Sequence, residues 1–125
     1  MNYSDKFFYT NEHVWLNHII DNKYQVGITH FAQDLLGDIV FIDIKSNEPI
    51  FKNRPMGVIE SVKTASDFIS PADGSISAIN QVVIKSPELI NEKPHDMWIC
   101  EILINKEFDK SSFLSCAEYL ELIKN

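Results

Sequence analysis

The chain has few of the residues from which redox, metal and phosphate-binding sites are commonly built. Only two cysteines, Cys100 and Cys116, occur in its 125 residues, and they form no C-x-x-C pair. Cysteines spaced in this way are more often buried thiols than zinc or redox ligands, so we expect both to be buried. Only four glycines are present, and none belongs to a phosphate-binding loop.

Long apolar runs and an excess of positive charge are also missing. No stretch approaches the roughly 18 apolar residues that a membrane span requires. The N-terminal segment 1–8 has the features of neither a secretory signal nor a transit peptide, so we expect a cytoplasmic protein with no membrane partner. The 11 Lys and Arg against 18 Asp and Glu argue against a nucleic-acid partner and are compatible with basic patches on partner proteins.

Signatures of catalysis are absent as well. The sequence contains no G-x-S-x-G and no H-E-x-x-H motif. Its histidines are scattered without ligand spacing, so we expect surface or capping roles and no metal site for His13, His18, His30 and His95. The acids around residue 38 are expected to form a solvated face, with an acidic patch as the alternative: Asp34, Asp38 and Asp43.

What the sequence does contain is a series of short strand-like segments. Alternating or continuous apolar residues predict strands at 7–20, 24–28, 39–44, 56–61, 66–70, 75–80 and 98–104, with a short strand near 50–51. The segment 39–44 is nearly all apolar, so we expect a strand buried on both faces or largely so. Thr29 and Gly37 bracket a short amphipathic helix, Ser86 and Pro87 open a helical turn, and a C-terminal helix is expected over 112–124. This pattern predicts one β-rich domain, 1–125, a barrel or a sandwich.

One hairpin is chemically distinctive. The strands 56–61 and 66–70 flank a tip made of Val62, Lys63, Thr64 and Ala65. Lys63 is expected in water, with no carboxylate directly beside it in the tip. A lysine displayed on a rigid turn is suited to acylation, which removes its charge and adds a long swinging group. The alternative from spacing alone is an ordinary surface lysine.

The motifs of this chain resemble those of the glycine cleavage system H protein family. Segments 26–29 and 32–41 match V-G-I-T-x-x-A-Q-x-x-L-G-D-x-V-F, and 60–71 matches the lipoylation motif E-S-V-K-x-x-S-D-x-x-S-P. Segment 86–91 matches S-P-E-L-(I/V)-N, Gly74 and segment 79–80 match G-x-(I/V)…(V/I)-N, and Tyr9, His13 and Trp15 fit the opening Y…H-x-W. The resemblance is collinear and covers nearly the whole chain.

The resemblance implies a mainly β barrel-sandwich hybrid of the lipoyl and biotinyl carrier kind, with short peripheral helices and a C-terminal helix. It implies lipoate in amide linkage on Lys63 and no catalytic residues, because the family is a carrier and not an enzyme. The implied partners are the decarboxylating glycine dehydrogenase, the aminomethyltransferase, dihydrolipoamide dehydrogenase and a lipoyl ligase or transferase. We expect a monomer in which 60–67 forms the recognition surface for the lipoylating enzyme.

Three departures from the family pattern concern the surroundings of the arm. The family's H-E-W reads His13-Val14-Trp15, so an acid expected in the cleft is replaced by an apolar residue. On an extended strand Glu12 shares a face with Val14, which suggests the hypothesis that Glu12 substitutes for that acid. The loop 46–56 lacks the family's glycines, and 94–98 lacks the glycine before Trp98.

Two other carrier functions compete with glycine cleavage. A lipoyl relay would use the same fold to supply lipoate to 2-oxo-acid dehydrogenases without cleaving glycine. A biotinyl carrier would have methionines beside its lysine, whereas Val62 and Thr64 flank Lys63.

Overall fold

The structure, a computed structural model, describes residues 3–46, 48–105 and 110–124. Its strands are β1 (Phe8–Tyr9), β2 (Val14–Ile20), β3 (Lys23–Ile28), β4 (Ile39–Ile44), β5 (Pro49–Ile50), β6 (Pro55–Ser61), β7 (Ala65–Ile69), β8 (Gly74–Ile79) and β9 (Cys100–Ile104). Its helices are α1 (His30–Leu36), α2 (Gln81–Lys85), α3 (Leu89–Glu92) and α4 (Cys116–Leu122), with a 3₁₀ turn at Lys110–Ser112. Among the described residues, no helix is long and apolar enough to cross a membrane.

The strands form two antiparallel sheets that share a core. One sheet has six strands in the order β1-β2-β3-β9-β8-β5, and the other has three in the order β4-β6-β7. The alternation in β3 buries Tyr24, Val26 and Ile28, as its period of two predicts. The described pairings do not close either sheet into a barrel, and the expectation of a mainly β fold with short helices and a C-terminal helix is confirmed.

A second, aromatic cluster attaches the C-terminal helix to the six-stranded sheet. Tyr9 stacks on Tyr119 of α4 with ring centroids 4.8 Å apart, and Trp15 stacks on Phe7 at 4.6 Å. A Cβ at Gly27 would lie 2.6 Å from the Trp15 ring, so only glycine lets β3 pass beneath it. The glycine of the V-G-I-T motif is therefore a packing residue.

Pairing across the sheets changes several boundaries that the sequence predicted. The segment 7–20 is two strands, β1 and β2, because the chain turns between them and His13 adopts a left-handed φ of 65°. Strand β9 begins at Cys100, so Trp98 precedes it. Helix α4 begins after Ser115, where a capping box with Glu118 satisfies the free backbone amides. Helix α2 was not predicted.

The expectation that 39–44 is buried on nearly both faces is wrong. Ile39, Ile42 and Ile44 are in the core, whereas Val40 and Phe41 are 54% and 48% exposed. Glu60 and Ala65, which lie in the same row as Phe41 on the neighbouring strands, are exposed too, so this face of the three-stranded sheet has no covering layer at that row. Helix α1 differs too, because Leu35 is exposed and Gln33 is buried.

Candidate functional site

The lysine hairpin is formed by β6 and β7, whose last register pair is Glu60 with Ala65. Strand β7 thus begins one residue earlier than predicted and leaves a four-residue turn from Ser61 to Thr64. The Ser61 amide donates to the Thr64 carbonyl oxygen at 2.8 Å. The Ser61 hydroxyl accepts hydrogen bonds from the amides of Lys63 and Thr64, at 3.2 and 3.1 Å. Ser61 of the E-S-V-K motif therefore fixes the backbone that presents Lys63.

The turn is also anchored to the segment that joins α1 to β4. The amide of Val62 donates to the carbonyl oxygen of Asp38 at 3.0 Å. Gly37 ends α1 with a φ of 85°, and a Cβ there would lie 2.9 Å from Cε of Lys63. The left-handed backbone and the close approach of the lysine stem both favour glycine at this position. Lys63 therefore lies against the C-terminal end of α1.

Lys63 is exposed, and its ammonium group forms no ion pair with any of the residues that the structure describes. In the described part of the chain, the two ion pairs join Lys23 to Glu101 and Lys124 to Glu121. No side-chain hydrogen bond to Nζ of Lys63 is found among the described residues either. A modifying enzyme can therefore take this amine without breaking a contact that stabilises the fold.

A half-buried amide side chain, which the sequence did not indicate, holds the base of this site. The side chain of Asn91 in α3 accepts a hydrogen bond from the Ile39 amide at 2.8 Å and donates to the Ile39 carbonyl oxygen at 3.3 Å. Gln33 of α1 donates to the same Asn91 oxygen at 3.4 Å. The last residue of the S-P-E-L-I-N segment thus joins α1 to β4 next to the residue that anchors the lysine turn. The polar residue ending an otherwise helical motif was the only sequence signal for this role.

A cleft of about 170 Å³ lies beside the hairpin, between α1, β6, β7 and the turn before β2. Its apolar lining includes Ile28, Ala32, Leu35, Leu36, Ile59 and Phe68. Its polar lining is contributed by Glu12, His13, Ser66 and Asp67. The cleft therefore combines hydrocarbon walls with two carboxylates, an arrangement suited to an aliphatic chain that ends in a cationic group.

One wall of the cleft is held by a hydrogen-bond network from the C-terminal helix. The Tyr119 hydroxyl lies 2.8 Å from Nδ1 of His13 and 2.8 Å from the Thr29 hydroxyl. Thr29 also caps α1 by accepting from the Ala32 amide, as predicted. Burial raises the pKa of Tyr119 to about 12, so the phenol keeps its proton at neutral pH. Burial lowers the pKa of His13, with the Glu12 carboxylate opposing that shift, so the cleft favours the neutral form of the imidazole.

The premise from which Glu12 was proposed as the cleft acid is wrong, although Glu12 does line the cleft. Glu12 lies in the turn before β2, so it is not on an extended strand with Val14. Val14 is 1% exposed and packs in the core, and it does not line the cleft. The acids that do are Glu12 and Asp67, and the role of Glu12 stays a prediction.

The remaining candidate residues have structural roles or are solvated. Nε2 of His95 accepts from the His30 amide at the start of α1, at 2.9 Å, and His18 lies near the Asp21 carbonyl oxygen. Cys100 and Cys116 are free and buried, as predicted. Within the described ranges, no group of three or more His, Cys, Asp and Glu side chains could hold a metal ion.

Comparison with known proteins decides the family. The family model described as "Glycine cleavage H-protein" matches residues 7–125. This chain belongs to the glycine cleavage H-protein family. A relative from Methylobacillus flagellatus, "Glycine cleavage system H protein", is 40% identical over 124 residues, covering 98% of this chain and 99% of the relative. The Dictyostelium discoideum "Probable glycine cleavage system H protein 1, mitochondrial" is 45% identical over 118 residues, 93% of this chain and 81% of that protein.

A solved structure extends the likeness to the fold. The crystal structure of a glycine cleavage system H protein from Mycobacterium marinum matches with a TM-score of 0.85 and 27% identity, covering 98% of this chain and all of that one. The predicted fold class is thereby confirmed. Membership of the family implies a lipoyl-carrier role in glycine cleavage, in a family that carries lipoate on a lysine.

Proposed function

We propose that Lys63 is the lipoylated residue and that the chain is the lipoyl carrier of a glycine cleavage system. The observation that carries this proposal is the display of Lys63. It is an exposed lysine without an ion-pair partner in the described part of the chain, on an anchored turn beside a cleft with two carboxylates. The family's lipoylation motif falls on the same turn.

The residues present fit a lipoyl group. Lys63 offers a primary amine for the amide bond, and its stem already lies along Gly37 at the end of α1. The cleft walls that follow along α1 are Ala32, Leu35 and Leu36, which are apolar like the hydrocarbon part of lipoate. When bound, lipoate supplies a disulfide that accepts two electrons while one sulfur takes up a carbon unit.

The proposed role is delivery between enzymes. The chain would pass the aminomethyl group of glycine from the decarboxylating glycine dehydrogenase to the aminomethyltransferase, and electrons to dihydrolipoamide dehydrogenase. A lipoyl ligase or transferase would load Lys63. A covalent attachment makes each later encounter a delivery at high effective concentration, so the chain needs no catalytic residue of its own.

The cleft has a protective role in this proposal. Its apolar walls keep water from a carbon unit that is prone to hydrolysis. Glu12 and Asp67 attract a protonated amine, and His13 adds no opposing charge because burial lowers its pKa. The charge of the cleft thus favours a protonated aminomethyl group over an uncharged one-carbon group.

Intact-mass measurement of the protein made with lipoate and a competent ligase tests the proposal. We expect one lipoyl group, absent from Lys63→Arg and present in the control Lys45→Arg, whose lysine is also exposed. Lys63→Arg should keep the wild-type melting temperature because the ammonium makes no contact that the fold needs. An unmodified wild-type chain would refute the carrier function, and a large drop in melting temperature would show that Lys63 is structural.

A second measurement tests the cleft. Glu12→Gln should speed the hydrolytic loss of the one-carbon unit from the loaded protein, since one of the two cleft carboxylates is removed. The matched control is Glu88→Gln, because Glu88 is exposed and makes no capping hydrogen bond with its side chain. A rate equal to that of wild type would remove Glu12 from the proposal.

A further inference from the structure

Strand β4 turns two adjacent apolar side chains into solvent next to the lysine turn. Its register with β6 shifts between Ile39, paired with Ser61, and Phe41, paired with Glu60, so Val40 is the extra residue of a β-bulge. A bulge re-aims the side chains that follow it. Val40 and Phe41 are consequently both exposed, while Ile39 and Ile42 on either side are buried.

The exposed pair belongs to an outward sheet face that has a defined chemistry. Directly opposed residues share a face, so one row consists of Phe41, Glu60 and Ala65, and the next consists of Asp43, Val58 and Asp67. Glu60 and Asp43 are exposed on this face, and neither row contains a basic residue. Asp67, on the edge strand β7, also borders the cleft and is left out of the docking charge. We call this the bulge face: an apolar centre at Phe41, next to Val40, with an acidic surround.

The bulge face is close to Lys63 in the fold. Its first row is one residue pair from the turn, and Ser61 and Thr64 connect the two. Val62, in the turn itself, is 68% exposed and extends the apolar surface towards the lysine. An enzyme that binds Lys63 in its active site must therefore meet this surface.

We infer that the bulge face is the docking surface for the enzyme that acylates Lys63, and that this enzyme presents an apolar patch bordered by Lys or Arg. This inference rests on the proposed function. Lys63 is one of ten lysines, and before acylation it carries no group that would distinguish it. Selection must come from the surface around it, whereas later partners can also bind the attached group. An apolar anchor gives affinity, and complementary charge gives orientation and a faster encounter.

Docking serves a simple acyl transfer. The neutral amine of Lys63 attacks the carbonyl carbon of an activated acyl donor, an acyl adenylate or thioester, that the enzyme holds. The ammonium first loses one proton to a base of the enzyme or to water. The amide C–N bond then forms, the bond to the adenylate or thiol breaks, and the leaving group takes the electron pair. The second proton leaves the nitrogen and passes to the leaving group or to water. No redox partner is needed.

The test compares two phenylalanines of similar exposure. Phe41→Ser removes the centre of the bulge face. Phe51→Ser removes a side chain that is 55% exposed and lies in the loop between β5 and β6, at the end of β6 that is away from the lysine turn. We expect kcat/KM for acylation of the unmodified protein by a purified lipoyl ligase to be about tenfold lower in Phe41→Ser, because KM rises. A tenfold change corresponds to about 1.4 kcal/mol of binding free energy. Phe51→Ser should stay within about twofold of wild type, since it removes no part of the docking surface.

Two further variants separate docking from folding and from charge. Val40→Thr keeps a β-branched residue in the bulge and should also raise KM, with an unchanged melting temperature. Added salt should lower kcat/KM less in Asp43→Asn than in wild type, because the variant has lost one carboxylate that attracts the basic border of the enzyme.

The outcomes are distinguishable. If wild-type Lys63 is not acylated at all, the proposed function fails. If it is acylated and Phe41→Ser and Val40→Thr react as fast as wild type, the docking inference alone is overturned. If loaded Phe41→Ser is slowed as much in reoxidation by dihydrolipoamide dehydrogenase as in acylation, the assignment to the acylating enzyme is also overturned.

Discussion

Asn91→Ala should destabilise the protein more than the substitution of a half-buried polar residue on a short helix ordinarily does. The asparagine side chain satisfies both the amide and the carbonyl group of Ile39, whose own side chain is buried. Alanine would remove both hydrogen bonds and leave the Ile39 amide without its partner. Two bonds of about 0.5–1.5 kcal/mol, with the desolvation of an orphaned donor, give a loss of about 2–3 kcal/mol.

The loss can be measured by denaturant and thermal unfolding. For a chain of this size about 4 °C of melting temperature corresponds to 1 kcal/mol, so a decrease of about 8–12 °C is expected. Asn11→Ala is the control, because Asn11 is an exposed turn residue, and its stability should stay within about 0.5 kcal/mol of wild type. If the stability of Asn91→Ala also stays within that limit, the role of Asn91 in holding β4 is refuted.

A second asparagine variant separates the two hydrogen bonds. Asn91→Asp keeps an acceptor for the Ile39 amide but places a carboxylate oxygen against the Ile39 carbonyl oxygen, which Nδ2 now meets at 3.3 Å. Protonation restores a donor, so the folded state should raise the pKa of this carboxyl group. Relative to wild type, Asn91→Asp should therefore regain stability as the pH is lowered towards about 4 and lose it as the pH rises.

Loosening Ile39 should also be detectable at the lysine turn. The Val62 amide donates to Asp38, the residue before Ile39. In Asn91→Ala the hydrogen exchange of the Val62 amide should become faster relative to that of the Ile102 amide, which lies in the six-stranded sheet. Equal changes at both amides would indicate global destabilisation without local release of the turn.

Three further predictions concern the cluster behind the cleft. Gly27→Ala should lower the free energy of unfolding by about 1–3 kcal/mol, because the new methyl group overpacks against Trp15, and it should shift the fluorescence of Trp15. An unchanged unfolding midpoint would show that β3 can move away from the ring. Tyr119→Phe keeps the stacking but removes both hydroxyl contacts, with an expected loss of about 1–3 kcal/mol by urea unfolding; no loss would mean that the network is not stabilising. Burial lowers the pKa of His13, so the unfolded chain binds a proton at this site at higher pH than the folded chain does. Stability should therefore be complete above about pH 6.5 and decrease below it. His13→Gln should reduce this slope, and an unchanged slope would refute the contribution of His13.

Local features of the site follow directly from the sequence. Thr29 caps α1 and Gly37 ends it, because each acts on amides, carbonyl groups and dihedral angles within a few residues. The lysine hairpin was predictable for the same reason, since two short β-rich runs on either side of the tip 62–65 define it. Where an element begins was less predictable, as the start of α4 at Cys116 in place of about Ser112 illustrates.

Features that depend on pairing between distant segments were not predictable in this way. The outward turn of Val40 and Phe41 depends on a bulge, and a bulge exists only relative to the partner strand β6. An apolar hexapeptide reads the same whether it is central or at a sheet edge, so the sequence alone favoured burial.

The sequence by itself determined the family, the mainly β fold and the position of the candidate lysine, since all three are written in contiguous motifs. The tertiary structure decided what surrounds that lysine. Asp67 joins Glu12 in the cleft, and Tyr119 reaches His13 across 106 residues of sequence, because the hairpin, the turn before β2 and α4 pack around one helix. Contacts of that range are fixed by which sheet faces must be buried together, and no local pattern records them.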